Sequence, residues 1–366
     1  MVATALEYGR LRNGEVSIEW VPRTLKEFGM VSVEELAREF DLIVMDHPHI
    51  GTMAESGSVV PLEEYVSAAT LDALAEGSPG RSHQSYRYAG RQWAFAIDAA
   101  CQTSAWRPDL LSAPPTMWIE VIDLAATGKV MWPLCAVDAA ASFMTLTSAQ
   151  GQQCAIAADR FVERSAGLWA LQTMYDVAKR SDPQCLTSNP IHVLEALAHS
   201  DEYSYSPLSF CYVNYSRDDH SGKQVAFGDI PSNAADSLPR GALLGGAGLA
   251  ISSFGHSIDE AFAYASYVAS GDVQSGLYYS SGGQPAHRAA WSDRDLDQRS
   301  GGFFTGVGPV LKRSWTRPNG PWFAGFQNSM IDHFDGWFEG ARSPEGFLDE
   351  LDTLYRAATS ATRSAP

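Results

Sequence analysis

The stretch Asp41-Leu-Ile-Val-Met-Asp46-His-Pro-His-Ile-Gly51 sets the tightest constraint on how this chain folds. Its apolar run, Leu42 to Met45, has the length and β-branched content of a buried parallel strand. The run stops on a carboxylate, two imidazoles, a proline and a glycine. In open α/β sheets, small molecules are met just past the carboxyl ends of strands. Asp46, His47 and His49 are therefore the first candidates for handling one.

The rest of the chain alternates helical and extended patterns around that strand. Residues 2–12 read as a helix ending at Asn13-Gly14, and Val16 to Val21 alternates like a strand. Ser32-Val-Glu-Glu35 is a capping box that opens a short helix to Phe40. Tyr86 to Ile97 reads as a hairpin around Ala89-Gly90 and delivers Asp98 at a strand end. Val130 to Leu134 reads as a short strand closing on Asp138. Helices are expected over 116–126, 160–180 and from Asn189-Pro190 onward. Leu208 to Val213 reads as a strand ending at Asn214-Tyr215. The Gly-rich run from Gly241 feeds a strand to Ile251, and Ser257-Ile-Asp-Glu260 is a second capping box. Two C-terminal helices follow. The fold class is α/β.

Composition removes several classes of function. With 43 acidic against 26 basic residues, the formal charge of -17 repels phosphate backbones and anionic membranes. Nucleic acid is not an expected partner. No apolar run approaches the roughly 20 residues of a membrane span. The five cysteines are scattered without a CxxC pair, so a zinc ribbon or redox motif is unsupported; buried thiols are expected, and one disulfide stays open. The first residues carry no secretion-signal pattern.

Six stretches, in order, resemble the family 1 extracellular solute-binding proteins of bacterial ABC importers. They are Phe40 to Asp46, Ser58-Val-Val-Pro-Leu-Glu-Glu-Tyr65, and Tyr88-Ala-Gly-Arg-Gln-Trp-Ala-Phe-Ala-Ile-Asp98. Trp106-Arg-Pro-Asp-Leu-Leu111, Pro114-Pro-Thr-Met-Trp118, and Gly245-Gly-Ala-Gly-Leu-Ala-Ile251 with Glu260-Ala-Phe-Ala-Tyr264 behind it complete the set. The resemblance covers about 15–290. It implies a two-lobed, type II periplasmic-binding-protein-like fold with a hinge and an inter-lobe cleft. The lobes would be 1–100 plus 245–290, and 101–244 plus 291–366. It implies capture of a small sugar, polyol or sugar-acid, no cofactor, a membrane permease as partner, a monomeric state, and a periplasmic or cell-surface location. The family's sheet begins with a strand between 16–21 and 42–46, and no stretch before residue 16 supplies it. The two neighbours must then close up or leave unpaired backbone. A truncated or mis-set start is one expectation from this.

A receptor of that kind grips its solute with carboxylates, amides and aromatic faces. From the first lobe the expected ligand-binding residues are Asp46, His47, His49 and Asp98. From the second they are Asp138, Asn214 and Tyr215. Gly245 and Gly246 would admit backbone N–H groups, and Arg288 would suit a carboxylate. Trp291 and Trp322 are possible stacking platforms. Each has a plainer reading: a helix cap for Asp46 and Asp138, packed imidazoles for His47 and His49, a core tyrosine for Tyr215. For Gly245 and Gly246 it is a tight turn, and for Arg288 a surface ion pair. Two other classes compete. A metal-dependent hydrolase would use Asp46, His47 and His49, and a cytoplasmic sensor would reuse the receptor fold. No HExxH, GxSxG or strand-following GxGxxG is present.

Overall fold

The computed structural model describes residues 1–23, 32–151, 153–155, 157–234, 241–340 and 342–363. The chain forms two compact units. The first holds Met1–Ala99, Gly245–Leu296 and Asn319–Pro321; the second holds Ala100–Leu244, Asp297–Pro318 and Trp322–Pro366. No helix among the described residues is long and apolar enough to cross a membrane.

In the first unit, strand β1 (Leu42–Met45) pairs antiparallel with the strand Leu244–Ile251, matching Leu42 to Ile251 and Met45 to Gly248. This corrects the reading of β1 as a parallel strand. A short apolar run carries no information about the direction of its neighbour. The hairpin of β2 (Arg87–Tyr88) and β3 (Arg91–Gln92) turns on Ala89 and Gly90, both at positive φ, as a two-residue primed turn requires. The helix Val33–Glu39 starts where Ser32 Oγ accepts from Glu35 N. At the second capping box the sequence misleads. Ser257 makes no side-chain cap, and Glu260 instead accepts from Tyr8 Oη at 2.5 Å and Arg12 at 2.7 Å, joining the helices Val2–Leu11 and Ile258–Ala269.

Val16 to Val21 is not a strand. Its alternation is real, because Val16, Ile18 and Trp20 pack against the core that contains Leu249, Ile251 and Tyr264. Between Val16 and Pro22, however, no backbone group makes a hydrogen bond to any described residue. An extended segment without a partner is not a sheet member.

In the second unit, β4 (Phe95–Trp106, from Ala100 onward) pairs antiparallel with β5 (Tyr205–Phe210) and with β6 (Ala226–Gly228). The pairing with β5 shifts register between Thr103 and Ala105, a bulge. The strand Leu244–Ile251, now β7, begins here at Leu244. The expected strand at 130–134 reduces to a single bridge, Val130 to Tyr205. Helices Ala136–Ala149, Arg164–Ala178 and Pro344–Arg363 supply much of this unit's core, where Phe143, Phe334 and Phe347 meet with ring centroids 4.7–6.2 Å apart. Arg107 is buried here. It donates to Asp109 and Asp201 and to the carbonyls of Leu197 and Ser200, at 2.7–2.9 Å.

Candidate functional site

Past the end of β1, the backbone turns at once. Asp46 caps the short 3-10 turn His47–His49, its Oδ1 accepting from His47 N at 2.8 Å. His47 is fully buried, with Nδ1 3.1 Å from Asp46 Oδ1 and its ring edge-on to Tyr86. His49 is half-buried and leads into the helix Ile50–Glu55. The turn also seats Gly51 against Asn319, with Gly51 N–H donating to the Asn319 carbonyl at 3.0 Å. A Cβ at Gly51 would lie 2.1 Å from that carbonyl oxygen. Asn319 in turn donates to the carbonyls of Ser85 and Arg87. The capping and packing roles of Asp46 and His47 thus have direct geometric support.

Asp98 has different surroundings. It lies on β4 beside Pro285, to which it is bridged, and burial pushes its carboxyl up to about 7. The loop from Gly283 follows the strand. Gln284 donates to the Ala99 carbonyl at 2.9 Å, and Trp291 Nε1 donates to the Pro285 carbonyl at 2.7 Å. Tyr278, raised by burial and by the Asp98 charge, stands behind it. Asp98 thus lies within β4, the fourth of its twelve residues, which corrects its reading as a strand-end carboxylate: the extended run does not stop at Ile97 but continues to Trp106. Gln284 and, through Pro285, Trp291 meet this part of the strand. Arg288 is exposed at the start of the short helix Arg288–Trp291. On β7, Gly246 has φ of +105°, which only glycine adopts readily, and Gly248 lets the Tyr86 ring approach.

In the second unit, Asp138 is not at a strand tip. It sits in the first turn of the helix Ala136–Ala149 and is buried. Cys135 Sγ donates to its Oδ2 at 3.0 Å. A helix N-terminus favours a charged carboxylate, by roughly 0.3–1 kcal/mol at exposed positions. Burial outweighs that here and pushes the group up to about 7. Asn214 and Tyr215 belong to a 3-10 turn, Val213–Ser216, three residues past β5. Asn214 is exposed; Tyr215 is buried and donates to Glu195 at 2.7 Å, which matches the core-tyrosine reading. Trp322 stacks among Phe323, Phe326 and Tyr355 at 5.4–6.1 Å, so it is part of an aromatic core.

Among the described residues, one trio has metal-ligand spacing. Glu195, His199 and His220 offer atoms within 4.8 Å of one another. Glu195 and His199 share a helix face at i, i+4, a spacing visible in sequence; His220 arrives from a loop and was not. Protein partners already engage the trio: Tyr215 on Glu195, and Gly222 N–H on His220 Nδ1 at 3.0 Å. Asp46, His47 and His49 form no such group.

The first unit also contains a groove of about 800 Å³. One wall is Glu15 to Arg23, the other Glu39 to Val44, and Ala261 and Tyr264 line it as well. The segments at 16–21 and 42–45 have therefore not closed up. None of the ten candidate residues lines this groove, and its wall between Val16 and Pro22 offers unpaired backbone more than convergent side-chain donors.

A family model described as bacterial extracellular solute-binding protein matches residues 32–291. No curated protein sequence matches the chain. Solved structures match across nearly its whole length. An ABC transporter solute-binding protein from Thermotoga lettingae TMO, bound with alpha-D-tagatose, has a TM-score of 0.83 at 16% identity, covering 98% of this chain and 95% of that one. The GacH receptor of Streptomyces glaucescens, solved unliganded and with acarbose, has a TM-score of 0.79 at 16% identity, covering 98% and 94%. A solute-binding protein from Agrobacterium radiobacter K84 in complex with ribitol has a TM-score of 0.79 at 18% identity, covering 97% and 94%. The fold is thus that of the two-lobed periplasmic sugar-binding proteins.

Proposed function

This chain belongs to the bacterial extracellular solute-binding proteins, and from that premise we propose that it captures a small sugar, polyol or sugar-acid for an ABC importer. Its place would be the periplasm or the cell surface, and its partner the importer's membrane permease. The solute is bound and released unchanged.

The observation that carries this reading is the family match over residues 32–291; within that stretch, Asp98 and Asp138 are carboxyls that burial pushes up to about 7. Near neutral pH such a group is partly protonated, so it both donates and accepts hydrogen bonds. A sugar hydroxyl does the same. Gln284 and Trp291, gathered near Asp98, add an amide and an apolar face suited to a pyranose or polyol. The solutes named for the similar structures, tagatose, acarbose and ribitol, are all polyhydroxylated.

A thermal-shift screen of sugars, polyols and sugar-acids tests the proposal. A member of the panel should raise the melting temperature in a concentration-dependent way. Asp98→Asn and Asp138→Asn should each weaken its binding by about 1–3 kcal/mol, the cost of leaving polar groups mismatched. Full affinity in both variants would remove these carboxyls from the site. A panel without any shift would remove the sugar class.

A further inference from the structure

Spacing alone pairs none of the five cysteines. The sheet of the second unit does. β4 and β5 are antiparallel with Gln102 opposite Phe210, so the next step in that register sets Cys101 opposite Cys211. The backbone agrees, since Cys211 N–H donates to the Cys101 carbonyl at 3.2 Å. Residues facing each other across a ladder project side chains to the same face. Burial and the neighbouring Cys211 thiol both push the Cys101 thiol up. Directly opposed, hydrogen-bonded antiparallel partners stand about 5.5 Å apart at Cα, inside the roughly 4.4–6.8 Å that a disulfide spans. The other three thiols have different neighbours: Asp138 for Cys135, Thr147 for Cys154 and the Trp132 amide for Cys185.

We propose that Cys101 and Cys211 form a cross-strand disulfide when the chain folds under oxidising conditions. The pairing rests on geometry; only the source of oxidant in the cell rests on the extracellular reading. One cysteine thiolate attacks the disulfide of an external oxidant such as glutathione disulfide, forming a mixed disulfide and expelling one thiol. The second cysteine thiolate then attacks the protein sulfur of that mixed disulfide and expels the second thiol. Two electrons pass to the oxidant, and the two cysteine protons end on the two expelled thiols. Cys101 and Cys211 are 0% and 1% exposed, so the exchange precedes closure of the core. The bond would close a long loop, the kind of cross-link that most restricts the unfolded chain.

The test uses the full chain, unfolded in reductant and refolded in a glutathione and glutathione-disulfide buffer. The product is then alkylated in denaturant, weighed intact and mapped by peptide. The expected result is three alkyl groups per chain and one linked peptide pair holding Cys101 and Cys211. Adding reductant should restore five and lower the melting temperature by several degrees. Five alkyl groups after oxidative refolding, or a linked pair that omits either residue, would overturn the proposal. A double variant, Cys101→Ser with Cys211→Ser, should melt at the same temperature with and without reductant; a reductant-sensitive melt would also overturn it. The buffer replaces export, so failure here leaves the receptor reading intact, and absence of solute binding leaves the disulfide intact.

Discussion

Asp138 shows how two effects compete at a single side chain. The helix terminus favours its charge and burial opposes it, and burial prevails. The folded chain thus binds this proton more tightly than the unfolded chain, where a carboxyl titrates near 4. The resulting stability is complete below about pH 4 and is lost as pH rises to about 7. Asp98 follows the same sign. Asp138→Asn should therefore gain on the order of 4 kcal/mol on wild type between pH 4 and pH 8. Urea unfolding at the two pH values measures this, and a constant difference would contradict the assignment. Arg107 makes the opposite point, because its charge is buried but well partnered. Arg107→Met would leave the Leu197 carbonyl without its donor, and should cost about 1–3 kcal/mol by the same measurement. Its carboxylate partners are exposed enough to regain water, which keeps the loss moderate.

At the scale of elements, local signals were legible wherever the cause is local. The Ser32 cap, the Ala89-Gly90 hairpin and the Asn189 cap could be read directly, because each depends on residues within a few positions. Partnering could not. Val16, Ile18 and Trp20 alternate as a strand does, yet what makes a strand is a second backbone, and no local pattern reports one. The helix Ala136–Ala149 was missed for the opposite reason. With 11 of its 14 residues buried, it has no polar face and so no period to detect. That omission placed Asp138 on a strand tip. Candidate-site legibility divides the same way: extended backbone leading to Asp98 was readable, but the strand's continuation to Trp106 and the contact of Gln284 with the Ala99 carbonyl are tertiary and were not. Hydrogen exchange checks the corrected element. Amides of Val16 to Trp20 should exchange far faster than those of β4 from Gln102 to Trp106. Equal protection would mean the segment is hydrogen-bonded after all.

For the molecule as a whole, six ordered stretches identified the family where overall identity to similar structures is only 16–18%. Those stretches hold turns and close packings that the backbone needs, such as Gly248 beneath Tyr86. Asp46 and His47, the most conspicuous candidates in the sequence, are engaged in capping and packing. Asp46→Ala should accordingly lower stability by about 1 kcal/mol while leaving solute affinity intact. The central claim is reversible capture of a polyhydroxylated solute. Isothermal titration at pH 7 with the panel member giving the largest thermal shift, followed by chemical analysis of the recovered solute, tests it most directly. The account predicts saturable binding of one solute per chain, weakened by Asp98→Asn, with the solute returned unaltered. Absence of saturable binding, or a solute recovered as a reaction product, would contradict it.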